Sequence, residues 1–210
     1  MESVHPQPQR PEPAVDPVWH VRADALVQRL TALRTGRLAP RAGQLFPDLA
    51  LPDAAGRLTR LSALCKGGPI LLSFHRGLWC PWCQAELENW RLIQPELRAS
   101  GCRVVLVTPE VGGRAAAMAA LVGREAQLLC DVDFGASAAL GLAFFVGQEL
   151  MTEFVRAGLD LATHYGAASG ILPIPATFVI EVGMRVRFAH VDVDFRHRAD
   201  PAAVLAALRS

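Results

Sequence analysis

The sequence predicts an α/β fold with its strands buried between helical layers. Residues 69–74, Pro-Ile-Leu-Leu-Ser-Phe, and 103–108, Arg-Val-Val-Leu-Val-Thr, are short apolar runs of strand length. Runs of that kind mark strands covered on both faces. Segments 81–99, 113–123 and 201–208 place apolar residues three and four apart, the period of helices lying on a sheet. Strands separated by helices in this way indicate layers joined by crossovers.

Residues 1–17 hold Pro6, Pro8, Pro11, Pro13 and Pro17 among polar neighbours and read as an extended or disordered tail. Over 18–38, Val21, Ala25, Leu26, Leu30 and Leu33 fall at helical spacing, with Gly36 as the stop. This helix, within 18–39, reads as an extension packed on the main domain, 40–210. A loop and a short edge strand around 45–51 follow, then a turn at 53–56 and a helical turn at 60–64. After strand 69–74 a helix runs from Pro81 to about Ala99, with Leu87, Trp90, Ile93 and Leu97 facing inward and Pro95 kinking it. Strand 103–108, helix 113–123, strand 128–130 and a short helix over 135–142 continue the alternation. Residues 143–170 read as an insertion with some helix. A hairpin of 176–180 and 185–191 turns around Val182-Gly183, and 201–208 closes the chain as a helix.

A net charge of +1 gives no reason to expect nucleic acid or an anionic membrane as partner. The N-terminus shows no basic region followed by a long apolar run, and the alanine-rich 115–122 is too short to span a bilayer. A cytoplasmic protein is expected. There, a Cys-x-x-Cys pair is catalytic, redox-active or metal-binding rather than a staple. The odd number of cysteines, five, also argues against a full disulfide framework.

The chemistry concentrates in 74–86, Phe-His-Arg-Gly-Leu-Trp-Cys-Pro-Trp-Cys-Gln-Ala-Glu. Cys80 stands where a buried strand turns into a helix, so the helix N–H groups favour its anion. Bringing a cysteine from about 8.5 to about 6 takes roughly 3.4 kcal/mol. A helix terminus supplies at most about 2 kcal/mol, so Arg76 is expected to add its charge. Cys83 lies one turn on and can meet Cys80 in an intrahelical disulfide. Pro81 suits the first helical turn, and Trp79 and Trp82 flank the pair as apolar surface for shielding or for a reductant. The alternatives are a pair of buried structural thiols or half of a zinc site. Zinc would need further ligands, and neither a second Cys-x-x-Cys nor a close His pair exists; His75 is expected to point away from Cys80. Cys102 and Cys130 read as core residues, and Asp192, Asp194, Arg196 and Arg198 as a salt-bridged turn. No cofactor fingerprint stands out, because Gly112-Gly113 lacks the rest of a phosphate loop.

The order strand, Arg-Gly-x-Trp-Cys-Pro-x-Cys, helix resembles the thioredoxin-like superfamily. It is most similar to the peroxiredoxin-like branch of the alkyl hydroperoxide reductase/thiol-specific antioxidant (AhpC/TSA) family. The resemblance runs from about Pro40 to Leu208 and takes in 103–110, 128–131, 172–180 and 187–196. It implies a thioredoxin-like fold, a central mixed sheet flanked by helices, here with the N-terminal helical extension. It implies a thiol peroxidase without cofactor, in a homodimer as is common in the family: Cys80 attacks hydrogen peroxide or an alkyl hydroperoxide, Cys83 resolves, and a thioredoxin- or glutathione-type donor restores the thiols. It further implies that Pro175, in Ile-Pro-Ala-Thr, is a cis-proline facing the redox cysteine, and that Arg187 reaches the same pocket. One departure stands out: Gly77 occupies the place where the family carries Thr or Ser. That leaves a thiol–disulfide oxidoreductase as the alternative activity, with a redox-sensing binding protein behind it.

Overall fold

The computed structural model describes residues 17–165 and 170–209. Its centre is a five-stranded mixed sheet in the order β5-β4-β3-β8-β9. β3 (Ile70–Phe74) runs parallel to β4 (Arg103–Thr108) and antiparallel to β8 (Ala176–Ile180). β5 (Gln127–Cys130) extends the parallel side, and β9 (Val186–Val191) forms the other edge. Every residue of β3 and of β8 is buried, as their apolar composition requires.

Strand periodicity splits the core in two. Ile70, Leu72, Phe74, Val105, Val107, Phe178 and Ile180 face one layer, and Leu71, Val104, Leu106 and Val179 face the other. The second layer is built from α3 (Pro81–Leu92), α4 (Gln94–Ala99), α5 (Gly112–Val122) and α9 (Pro201–Arg209). The expected stripe Leu87, Trp90, Ile93 and Leu97 is buried there, and the helix breaks at Ile93, next to Pro95. The first layer contains α1 (Pro17–Ala32), α2 (Leu61–Cys65), α6 (Gly135–Ala139) and the insertion. Among the described residues no helix is long and apolar enough to cross a membrane.

Two elements depart from expectation, the N-terminal helix and the edge strand. The Pro-rich tail reading lies outside the described residues, except that Pro17 already opens α1. In α1 the buried face is Ala23, Leu26 and Leu30, while Val21 and Leu33 are exposed. The helix ends before Gly36, because Arg34 adopts a left-handed conformation (φ 54) and the Thr35 N–H closes back on Leu30 O at 3.0 Å. The edge strand is confined to β1 (Ala50–Pro52), paired with β2 (Leu58–Arg60). The insertion resolves into β6 (Ala143–Phe145), α7 (Gln148–Arg156), α8 (Leu161–Tyr165) and β7 (Ile171–Pro173), with β6 and β7 paired.

Candidate active site

The Cys-x-x-Cys motif occupies the junction between the central strand and α3. His75, Arg76 and Gly77 carry the chain out of β3, and the His75 N–H still reaches Val107 O at 2.8 Å. Cys80 then caps α3 in an extended conformation, with Pro81 in the first turn. The Cys80 carbonyl accepts the N–H groups of Cys83 and Gln84 at 3.0 and 3.1 Å, which sets both thiols on one helical turn. Both are free and fully buried.

Two guanidinium groups converge on the sulfurs. Arg76, also buried, donates from Nη2 to Cys80 Sγ at 2.9 Å. Its guanidinium stacks 4.0 Å from the Phe195 ring centre and 5.2 Å from that of Trp79, which favours a cation in an apolar setting. The Arg76 backbone N–H points at Cys83 Sγ from 3.4 Å. Arg198, from the segment before α9, places Nη2 3.5 Å from Cys83 Sγ and 4.0 Å from Cys80 Sγ. Its Nη1 donates to buried Glu86 Oε2 at 2.5 Å. Glu86 Oε1 accepts from Thr177 Oγ1 at 3.2 Å, Thr177 meets Ser73 Oγ at 3.3 Å, and Trp90 Nε1 donates to Ser73 at 3.4 Å. His75 sits beside this chain, Nδ1 3.6 Å from Glu86 Oε2, with no hydrogen bond to either ring nitrogen.

The charge on the pair follows from these neighbours. Burial pushes both thiols up. At Cys83 the Cys80 thiol, Arg198 and His75 outweigh burial and bring the pKa well below the ordinary cysteine value. At Cys80 the neighbouring Cys83 adds to burial and holds the pKa well above it, against the pull of Arg76 and Arg198. The two sulfurs therefore hold one proton and one negative charge between them. The expected Arg76 contact with Cys80 is present at 2.9 Å, and Arg198 joins it from the side of Cys83. Cys80 accepts no hydrogen bond from the N–H groups of the helix start, whereas Cys83 accepts the Arg76 backbone N–H and lies beside Arg198 and His75. Burial opposes the Arg198 charge, but the charge shared by Cys83 and Cys80 and the Glu86 carboxylate prevail and raise its pKa further above the usual arginine value.

The insertion caps the site. Trp79 packs against Phe154 of α7 with ring centres 5.6 Å apart and donates to Tyr165 Oη at 2.9 Å. Tyr165 Oη in turn donates to Arg76 O at 2.6 Å. Buried Glu110 accepts the Leu78 N–H at 2.9 Å and faces His164 Nδ1 at 3.3 Å. Gly77 passes between them at φ +141.

The structure thus brings together Cys80, Cys83 and Arg76 with Trp79, Pro81 and Trp82. Trp82 packs on Phe195, ring centres 5.1 Å apart, and Trp79 also turns inward, so both are only half-exposed. Arg187 is not part of this group. It is exposed, paired with Glu181 at 2.7 Å. It lies by the β9 residue that pairs with Ile180, and Ile180 pairs with Ile70 at the end of β3 remote from Cys80. Pro175 does stand at the site end, before Ala176, which pairs with Phe74. Its peptide bond is trans, since no cis bond occurs among the described residues. Ile174 N–H is bound to Leu142 O at 2.9 Å and Ala176 is already in the ladder, so the chain passes from β7 into β8 in one extended path. Arg198 and Glu86 are the functional candidates that the sequence reading missed. Among the described residues no group of three or more His, Cys, Asp or Glu side chains could hold a metal ion.

Residues 42–189 match the AhpC/TSA family. The chain belongs to that family. Membership places it among enzymes of the peroxiredoxin-like thiol peroxidase and oxidoreductase class. No curated protein matches it. Among solved structures it is similar to peroxidoxin BcpB from Mycobacterium tuberculosis, 22% identical, over 80% of this chain and 96% of that one, with a TM-score of 0.60. Reduced Prx3 from Vibrio vulnificus, in complex with hydrogen peroxide, is 19% identical over 80% and 99%, with a TM-score of 0.62. A cysteine mutant of peroxiredoxin 6 from Arenicola marina is 12% identical over 82% and 73%, at 0.63. These likenesses establish the thioredoxin-like fold for this AhpC/TSA member. Arg198 lies beyond the matched segment.

Proposed function

We propose that the protein reduces hydrogen peroxide or an alkyl hydroperoxide through Cys80, with Cys83 as the resolving thiol. The observation that carries this reading is the Arg76 Nη2 contact with Cys80 Sγ at 2.9 Å. A guanidinium there stabilises the Cys80 thiolate and offers donors to a bound peroxide. Cys80 borders exposed Pro81 and half-exposed Trp79, whereas Cys83 lies against the Arg76 backbone and beside His75. The shared proton moves from Cys80 to Cys83, and the Cys80 thiolate attacks the O–O bond. A sulfur–oxygen bond forms, and the leaving oxygen takes the Cys83 proton to depart as water or alcohol. Cys83 is left as the low-pKa thiolate. It attacks the Cys80 sulfenic acid, forms the disulfide, and releases water with one proton from solvent. A thioredoxin- or glutathione-type thiol then restores the pair. A cytoplasmic setting, where thiols are kept reduced, suits the five free cysteines.

Stopped-flow measurement of peroxide consumption by the reduced protein tests this reading. A second-order rate well above that of free cysteine is expected, and a rate no faster than free cysteine contradicts it. Gly77, which offers no hydroxyl beside Cys80, favours a second reading, a thiol–disulfide oxidoreductase. That reading predicts efficient reduction of insulin disulfides with negligible peroxide turnover.

A further inference from the structure

The redox pair sits in a sealed charge balance. With one thiolate on the pair, Arg76 and Arg198 face two anions, that thiolate and Glu86. The other ionisable neighbours leave this count alone. Glu110 turns its oxygens to the Leu78 N–H and to His164, and neither is within ion-pair distance of Arg76 or Arg198. Tyr165 is held by Trp79 and Arg76 O, and its hydroxyl pKa is pushed well above the ordinary value, chiefly by burial. His75 faces the Glu86 carboxylate, with Nδ1 3.6 Å from Oε2.

Closing the disulfide removes one of the two anions and nothing else. The two guanidinium groups are then left with the Glu86 carboxylate, which Arg198 holds, and Arg76 Nε has no hydrogen bond to compensate. Both arginines remain buried, Arg198 with 9% of its side chain exposed. An unpaired charge in such a place is costly. We propose that the Cys80–Cys83 disulfide is a strong thiol oxidant, reduced directly by low-molecular-weight monothiols of the glutathione type, because closing it leaves the Arg76 and Arg198 guanidinium groups facing one carboxylate. This rests on the disulfide step of the proposed function and names the class of its electron donor. In the exchange two monothiols give up their S–H bonds and join in a disulfide. The protein S–S bond breaks, and the pair leaves with one thiol and one thiolate as a proton is released to solvent. Reduction is favoured because the products restore the missing anion, as in any dithiol whose reduced form is selectively stabilised.

The experiment equilibrates the full-length protein, oxidised with diamide, in glutathione buffers of graded reduced-to-oxidised ratio, with the thiols counted by alkylation and mass spectrometry. The wild type is expected to be half-reduced within the glutathione range. Arg76→Gln should lower the equilibrium constant for reduction roughly tenfold or more, the equivalent of one pKa unit of charge preference. Glu86→Gln should raise it, because the thiolate then faces both arginines alone. Opposite shifts are not produced by loss of packing, and either variant suffices for the test if the other does not fold. A wild-type disulfide that forms but yields only to a dithiol overturns the proposal, as do equal constants in wild type and the folded variant. Diamide and glutathione replace peroxide throughout, so slow peroxide consumption would count against the peroxidase reading alone. Failure to form the disulfide would overturn the premise both share.

Discussion

A Cβ placed on Gly77 would lie 2.8 Å from the carboxyl carbon of Glu110. The same atom would meet Trp79 Nε1 at 2.8 Å, and the φ of +141 is one that side chains rarely adopt. The family's hydroxyl-bearing residue therefore has no room here, and Arg76 is left as the donor nearest Cys80. Gly77→Thr is expected to lose roughly 1–3 kcal/mol of stability through strain and to leave the peroxide rate no higher. Urea unfolding and stopped-flow kinetics on one preparation check both. A faster, equally stable variant would contradict the packing.

Arg198 and Arg187 give a paired test. Breaking the buried Arg198–Glu86 pair strands the carboxylate, at a cost of about 3–5 kcal/mol. It also takes a cation from both sulfurs. Arg198→Met should raise the pKa of the first thiolate, seen by ultraviolet absorbance, and cut the peroxide rate at neutral pH about tenfold or more. Arg187→Ala removes an exposed ion pair at the far end of the sheet and should change stability by less than about 0.5 kcal/mol, with no effect on rate.

The depressed pKa of Cys83 makes stability depend on pH in a stated direction. Between the folded value and the ordinary cysteine value of about 8.5, the unfolded chain binds more protons, so stability rises with pH. The contribution is complete above that window and is lost as pH falls through the folded value. Cys80, whose pKa is raised, reverses the slope only above the ordinary value. The unfolding free energy of the reduced protein should therefore climb more steeply with pH, up to about pH 8.5, than that of Cys83→Ser. Parallel curves would contradict the assignment.

Tyr165 ties the insertion to the redox loop through one hydroxyl. Tyr165→Phe leaves the Arg76 carbonyl and the Trp79 indole N–H without that partner, which should cost about 1–3 kcal/mol. The change should appear in thermal unfolding and as a shifted tryptophan emission.

The central strands and α3 were legible because their burial is total and periodic. Residues 69–74 and 103–108 are apolar apart from Ser73, Arg103 and Thr108, and Leu87, Trp90, Ile93 and Leu97 repeat at helical spacing. The thiol pair and Arg76 were legible from local spacing alone. Arg198 was not, because it follows Asp192, Asp194 and Arg196, the composition of a solvated turn, and the last two do form such an ion pair. The available signal was Glu86. It falls between Cys83, Leu87 and Trp90 on the inward face of α3, and a buried carboxylate demands a cation. The trans bond before Pro175 depends on how β7 feeds β8, which local sequence does not encode. The end of α1 lies earlier than Gly36 indicates because Arg34 already turns left-handed.

The most direct test of the account is a map of oxidation after one equivalent of hydrogen peroxide on the reduced protein, by peptide mass spectrometry. The account predicts a Cys80–Cys83 disulfide in the wild type and a trappable sulfenic acid on Cys80 in Cys83→Ser. Oxidation that begins at Cys83 or at Cys65, Cys102 or Cys130, with Cys80 left as a thiol, would contradict it.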